Sequence, residues 1–233
     1  MNNTYEEVKK KLKRIADINN SAAVLQWDQE TFIPKNGNHF RAEQLATLSA
    51  LSHELFTEPQ LEQDLLELSS DKNLNEGQKI NIELVLEEIK KQKKYPVEFV
   101  ELLSHSISTA FQAWNQAREE NDVKFFLPAL SRLVELKKEE VQLLGYEEHP
   151  YDALLNQYEK NLKVKELDFI FDQVQLYLLP LLEKIHNSKQ INDQFFRQHF
   201  EKDRQWNFGI ELLKQMGYDF ESGRQDISAH PFT

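Results

Sequence analysis

Residues 96–117 read PVEFVELLSHSISTAFQAWNQA. Within them Phe99, Leu103, Ile107, Ala110, Trp114 and Ala117 recur at steps of four or three. That spacing lines side chains along one face of an α-helix. Pro96 stands where a first-turn proline belongs, since an N–H there would have no intrahelical partner. A stripe of this length predicts a helix packed against other helices, and the same period runs outward in both directions. Tyr5, Val8, Leu12 and Ile15 form one stripe, opposite Lys9, Lys10, Lys11 and Lys13. Ala22-Ala23-Val24-Leu25-Gln26-Trp27 is a second apolar stretch, followed by the breaker segment Pro34-Lys35-Asn36-Gly37. Leu45, Leu48, Ser52 and Leu55 give the next stripe, and Leu61, Leu65 and Leu68 a short one. Asn75 and Gln78 have the spacing of a capping box, opening a helix with Ile80, Leu84 and with Ile82, Leu86, Ile89.

On the C-terminal side, Phe126, Leu130, Leu133, Val134, Val141 and Leu144 predict a helix closed by Gly145 as a left-handed cap. Leu167, Ile170, Val174, Leu178, Leu181 and Ile185 predict another, with Pro180 expected to kink it. Trp206, Ile210 and Leu213 lie on a last helix ending at Gly217. From Tyr218 onward the helical period is lost, and Asp226-Ile227-Ser228-Ala229 predicts a short strand. No repeat of fixed period and no interdomain linker breaks the pattern. The expected fold class is all-α, a multi-helix array of long antiparallel helices with a short extended or β segment at the C-terminus. It forms one helical unit over residues 1–233.

Composition removes several functions. The 233 residues carry 28 basic and 39 acidic side chains, a net charge of −11. A binder of nucleic acid or of an anionic membrane needs a basic face to displace counterions, so neither is expected. Cysteine is absent, which excludes disulfides, thiolate metal sites and a cysteine nucleophile. The 6 glycines and 7 prolines are too few for the turns of an all-β chain. No apolar run approaches the roughly 20 residues that span a bilayer. The polar start Met1-Asn2-Asn3-Thr4-Tyr5-Glu6-Glu7 is unlike a secretory signal, and a cytoplasmic location is expected.

The chemistry-bearing residues do not assemble into a site. No two of His39, His53, His105, His149, His186, His199 and His230 are three or four positions apart, so no helix presents paired imidazoles to a metal. His53-Glu54-Leu55-Phe56-Thr57 opens like HExxH, but the second ligand position is Thr57, whose hydroxyl does not replace imidazole. His199 and Asp203, four apart, read as a surface charge pair. Adjacent acids such as Glu87/Glu88, Glu119/Glu120, Glu139/Glu140 and Glu147/Glu148 point in different directions from a helix and read as solvated faces. Neither a Gly-rich phosphate loop nor a GxSxG elbow occurs. No catalytic residue and no metal ligand is assigned within the chain.

Four segments in order carry a family resemblance. They are Ala22-Ala23-Val24-Leu25-Gln26-Trp27-Asp28-Gln29-Glu30-Thr31 with Pro34, then Arg41-Ala42-Glu43-Gln44-Leu45-Ala46-Thr47-Leu48-Ser49 running to His53-Glu54, then Tyr151-Asp152-Ala153-Leu154-Leu155 with Tyr158-Glu159, and last Gly223-Arg224-Gln225-Asp226-Ile227-Ser228-Ala229-His230-Pro231-Phe232-Thr233. Together they resemble the N-terminal half of the carboxypeptidase Taq family, thermostable carboxypeptidases of the HExxH zinc metallopeptidase type. The resemblance implies a largely helical, zincin-like enzyme with a deep groove that releases single residues from the C-terminus of peptide substrates. It implies a divalent metal, normally zinc, held by two histidines and a glutamate of a later HExxH half, with that motif's glutamate as general base. None of those residues lies in this chain, which would carry no cofactor of its own and would form a wall and lid of the groove. His230, Pro231 and Phe232 match the family's His-Pro-Phe motif and are the candidate substrate-binding residues.

The match departs from the family pattern at Lys160-Asn161, where a Pro-Gly pair is usual, and at Gln225, where an apolar residue is usual. The later catalytic half is the larger departure, and the chain is read as an expressed fragment or an interrupted reading frame. Trp27-Asp28 also has a plain reading as a packed corner, Arg41 as an ion pair between helices, and His230 as a residue that orders the loop before Pro231. The alternative to a portion of a carboxypeptidase is a non-catalytic, stand-alone helical binding or scaffold module. Residues 218–233 are expected either to be poorly ordered or to pack on a second copy as a homodimer. With no ligand set in the chain, the purified protein is expected to retain no stoichiometric zinc after dialysis. One tetrahedrally bound zinc per chain, measured by elemental analysis, would contradict that reading.

Overall fold

Neither proline nor glycine occurs between Asn3 and Ile33, so nothing stops a helix once it has started. The two N-terminal apolar stretches accordingly form one helix, α1 (Asn3–Thr31), in the computed structural model, which describes residues 3–230. Pro34 then opens a single 3₁₀ turn, Lys35–Gly37. The rest of the first compact unit, Met1–Gln157, consists of α2 (Asn38–Phe56), α3 (Pro59–Ser69), α4 (Glu76–Gln92), α5 (Val97–Glu120), α6 (Leu127–Leu144) and α7 (Pro150–Leu155).

The principal core of this unit joins Val8 and Ile15 of α1, Leu61, Leu65 and Leu68 of α3, Leu74, and Ile82 and Ile89 of α4. Asn75 and Gln78 close the expected capping box at the start of α4: the Gln78 N–H donates to Asn75 Oδ1 at 2.9 Å and the Asn75 N–H to Gln78 Oε1 at 2.9 Å. Of the two stripes read on α4, the one through Ile82 and Ile89 is buried, while Ile80 and Leu84 are exposed. A smaller core sets Tyr95 and Phe99 against Leu136 of α6.

On α2 the expected leucine stripe is displaced. The buried residues are Ala42, Ala46, Ser52 and His53, and Leu45, Leu48 and Leu55 are half-buried. This helix packs on α1 and α5, and small side chains let helix axes approach, so the leucines are pushed to the margins of the contact. Likewise α5 buries Phe99, Ser108, Ala110 and Ala117 but leaves Ile107 exposed. Gly145 ends α6 with φ 73° and ψ 158°, not in the left-handed helical conformation expected, although its positive φ still favours glycine. The short helix α7 was not predicted by the apolar period. It starts because His149 Nδ1 accepts the Tyr151 N–H at 3.1 Å and Pro150 supplies a pre-set first turn.

The second compact unit, Tyr158–Thr233, holds α8 (Val164–His186), a 3₁₀ turn Gln194–Arg197, and α9 (Lys202–Gln215). Asn161 has φ 66°, a left-handed conformation that asparagine tolerates better than most other non-glycine residues. Helix α8 runs through Pro180. The end of α9 is closed as expected, with Gly217 at φ 85° and the Tyr218 N–H donating to Leu213 O at 2.9 Å. The expected strand is corrected: among the described residues there is no strand, and residues 223–228 are irregular. A strand needs a neighbour to complete its ladder, and local bonds take its place. Arg224 pairs with Asp226 at 2.6 Å and the Ser228 hydroxyl donates to His230 O at 2.7 Å. Among the described residues no helix is long and apolar enough to cross a membrane.

Leu61 is completely enclosed by the principal core. Leu61→Ala is expected to destabilise the first unit by about 2–5 kcal/mol in a urea titration, whereas Ile80→Ala should cost under about 1 kcal/mol. Equal losses would show the wrong α4 stripe to be buried.

Candidate functional site

The residues of the first two quoted segments converge on one cavity inside the first unit. It has a volume of about 630 Å³ and is walled by α1, α2, α4, α5 and α6. Helix α1 presents Ala22, Ala23, Gln26, Gln29 and Glu30 to it, at the spacing of successive turns, and α2 adds Leu45 and Ser49. Phe99, Leu103 and Phe111 of α5 form the apolar side. The lining is therefore mixed, with amides and hydroxyls facing aromatic and aliphatic carbon.

Hydrogen bonds between helices fix this wall. The buried Ser108 hydroxyl donates to Gln29 Oε1 at 2.6 Å, joining α5 to α1, and Ser49 donates to Ser104 Oγ at 3.0 Å, joining α2 to α5. Arg41 of α2 pairs with Asp28 of α1 at 2.8 Å and also donates to Leu25 O. The sequence segments Trp27-Asp28 and Arg41 thus meet as a clamp between α1 and α2, and Trp27 lies edge-on to Phe32 with ring centroids 5.6 Å apart.

Glu140 also lines the cavity and is only 4% exposed, whereas the Glu139/Glu140 pair reads in the sequence as a solvated acidic face. Its carboxylate accepts from Tyr95 Oη at 3.0 Å, Gln157 Nε2 at 2.7 Å and Lys137 Nζ at 2.7 Å. Burial pushes the Glu140 carboxyl up, but the bonds from Lys137, Gln157 and Tyr95 outweigh it and hold it below the ordinary carboxylate range. Burial, together with the Glu140 charge, pushes the Tyr95 hydroxyl upward, so it remains a neutral donor. A sequence signal for Glu140 existed: it lies four residues after the fully buried Leu136 and beside Val141, on the inward face of α6.

His53 is also placed by this network. It is buried, and its Nε2 lies 2.9 Å from Tyr95 O, a carbonyl that only accepts, so Nε2 carries the proton. Its neighbour Glu54 is exposed. His199 pairs with Glu201 at 3.1 Å rather than with Asp203. Among the described residues no group of three or more His, Asp or Glu could hold a metal ion. His230, in the second unit, is exposed, and Pro231 and Phe232 lie outside the described residues.

Comparison with known proteins gives this arrangement a family. The profile of the Carboxypeptidase Taq (M32) metallopeptidases matches residues 7–233. The chain belongs to that family. It is 36% identical over 234 residues to carboxypeptidase 1 of Bacillus subtilis, covering 98% of this chain and 46% of the relative. It is 33% identical over 235 residues to thermostable carboxypeptidase 1 of Pyrococcus furiosus, covering 100% of this chain and 47% of the relative. The crystal structure of BsuCP superposes with a TM-score of 0.95 at 32% identity, over 99% of this chain and 47% of that one. The chain thus spans about half the length of the curated relatives it matches. Membership implies a divalent metal in a complete enzyme, but the residues described do not offer its ligand set: His53 is committed to a backbone carbonyl and is followed by Thr57, not histidine, at the second position.

Glu140 makes the cavity wall sensitive to acid, with a definite sign. Its folded-state value lies below the ordinary 4.5, so its contribution is present above that value and is lost as pH falls through the folded one. The melting temperature of Glu140→Gln is expected to fall less steeply than that of the parent protein on acidification below about pH 5. Parallel curves for the two proteins would contradict a stabilising, ionised Glu140.

Proposed function

We propose that this chain is the N-terminal portion of a zinc-dependent metallocarboxypeptidase that releases single C-terminal amino acids from peptides. The carrying observation is the family match over residues 7–233, together with relatives named carboxypeptidases that align along the whole of the chain. In this reading residues 1–233 act as one helical portion that forms a wall and lid of the substrate groove, and the metal and general base belong to the part of the relatives that this chain does not match.

The cavity supports the reading chemically. A peptide substrate presents backbone amides and an apolar or polar side chain, and Gln26 and Gln29 of α1 with Phe99 and Phe111 of α5 offer partners for both. Glu140 and the Ser108–Gln29 bond hold that wall in one geometry, which shortens the search for a productive substrate pose. His230, Pro231 and Phe232 would touch substrate at the groove. His230, an exposed imidazole, is a donor suited to a peptide carbonyl or carboxylate.

A chimera tests this directly: the present 233 residues replace the matched part of Bacillus subtilis carboxypeptidase 1. It is expected to release C-terminal amino acids in a chelator-sensitive manner, and His230→Ala should lower kcat/KM by about tenfold or more. The 233-residue chain alone should release none, with or without added zinc. A folded, metal-loaded chimera without activity would overturn the proposal, and an unaltered kcat/KM in His230→Ala would remove that residue from the site.

A further inference from the structure

Helix α8 contains no buried residue, yet its sequence is not that of a solvated helix. Residues 174–182 read VQLYLLPLL and carry no charge. Successive side chains on a helix are about 100° apart, so Leu176, Leu178, Leu179, Leu181 and Leu182 surround the axis instead of forming one stripe. All five are exposed, from 44% at Leu178 to 65% at Leu176. A helix apolar on every side is stable when it is enclosed, because each half-exposed leucine leaves apolar area in water that burial would remove.

A second copy meeting α8 along one seam would cover one face and leave the others in water. Enclosure needs several elements. The relatives have that amount of chain to offer: this protein is matched end to end by 46–47% of their length, which leaves more than as much again outside the match. We propose that α8 is the docking helix for the other portion of a carboxypeptidase Taq family chain, and that the two portions associate when supplied as separate chains. The proposal rests on the reading of this chain as a portion of a metallocarboxypeptidase, and its test is arranged to fail separately from that reading.

The probe is the part of Bacillus subtilis carboxypeptidase 1 that this chain does not match, co-expressed with the full 233-residue chain. The matched part of the same relative, co-expressed with the same probe, is the reference pair. A one-to-one complex is expected by light scattering. Leu178→Asp should weaken it about tenfold or more, and Lys189→Glu, in the loop beyond α8, should leave it unchanged. The proposal is overturned if the reference pair associates and the folded chain does not, if Leu178→Asp binds as tightly, or if the chain forms a homodimer that the probe does not open. A second readout comes from the covalent chimera, where Leu178→Asp should lower the melting temperature by about 2–4 °C or more and Lys189→Glu should not; equal shifts also overturn it. A complex without peptidase activity keeps the docking and contradicts the functional reading, whereas an active chimera with no complex in trans contradicts the docking alone.

Discussion

A carboxylate almost out of reach of water, held by three donors, is the constraint on which the first unit is built. Glu140 takes its bonds from Lys137 on its own helix, from Tyr95 in the link between α4 and α5, and from Gln157 beyond α7. Removing Lys137 would leave the charge without its cation, and removing Tyr95 or Gln157 would leave a buried carboxylate oxygen short of a donor, each more costly than losing an exposed surface pair. The same Tyr95 offers its carbonyl to His53 and its ring to Phe99, with centroids 5.9 Å apart. One polar knot therefore fixes the placement of α2, α5, α6 and the segment after α7, and with it one end of the cavity.

The second unit rests on the opposite kind of constraint. Its helices α8 and α9 carry apolar surface, and no residue of either is buried. Local signals nonetheless shape it: Asn161 supplies the positive φ before α8, and Gly217 closes α9. Capping and propensity define helix ends but contribute little against the entropy of ordering the chain. Stability at that end has to come from burial against something else.

Sequence reading succeeded where the signal is local or periodic. The capping box at Asn75 and the Leu61/Leu65/Leu68 stripe are legible from spacing, and an interhelical ion pair for Arg41 from residue type, although its partner Asp28 is given only by the structure. It misplaced the contact on α2 because apolar size was taken as a guide, whereas close helix packing selected Ala42 and Ala46. It missed Glu140 because neighbouring charges suggested a solvated face, although the i, i+4 relation to Leu136 pointed inward. The strand at Asp226-Ile227-Ser228-Ala229 did not form because β propensity expresses contact with a neighbouring strand, and none exists among the described residues. The cavity itself joins residues from α1 to α6 and has no signature in any single segment.

The first unit holds its own core, whereas the docking proposed for α8 makes that helix depend on a partner. Native-state hydrogen exchange on the 233-residue chain tests it most directly, because protection reports the free energy of opening each helix separately. Strong protection is expected for the amides of α3, α4 and α5 around Leu65, Ile89 and Ala110, and protection lower by about a factor of 100 or more through residues 174–182. Equal, global protection of α8 and α4 in the isolated monomeric chain would contradict it.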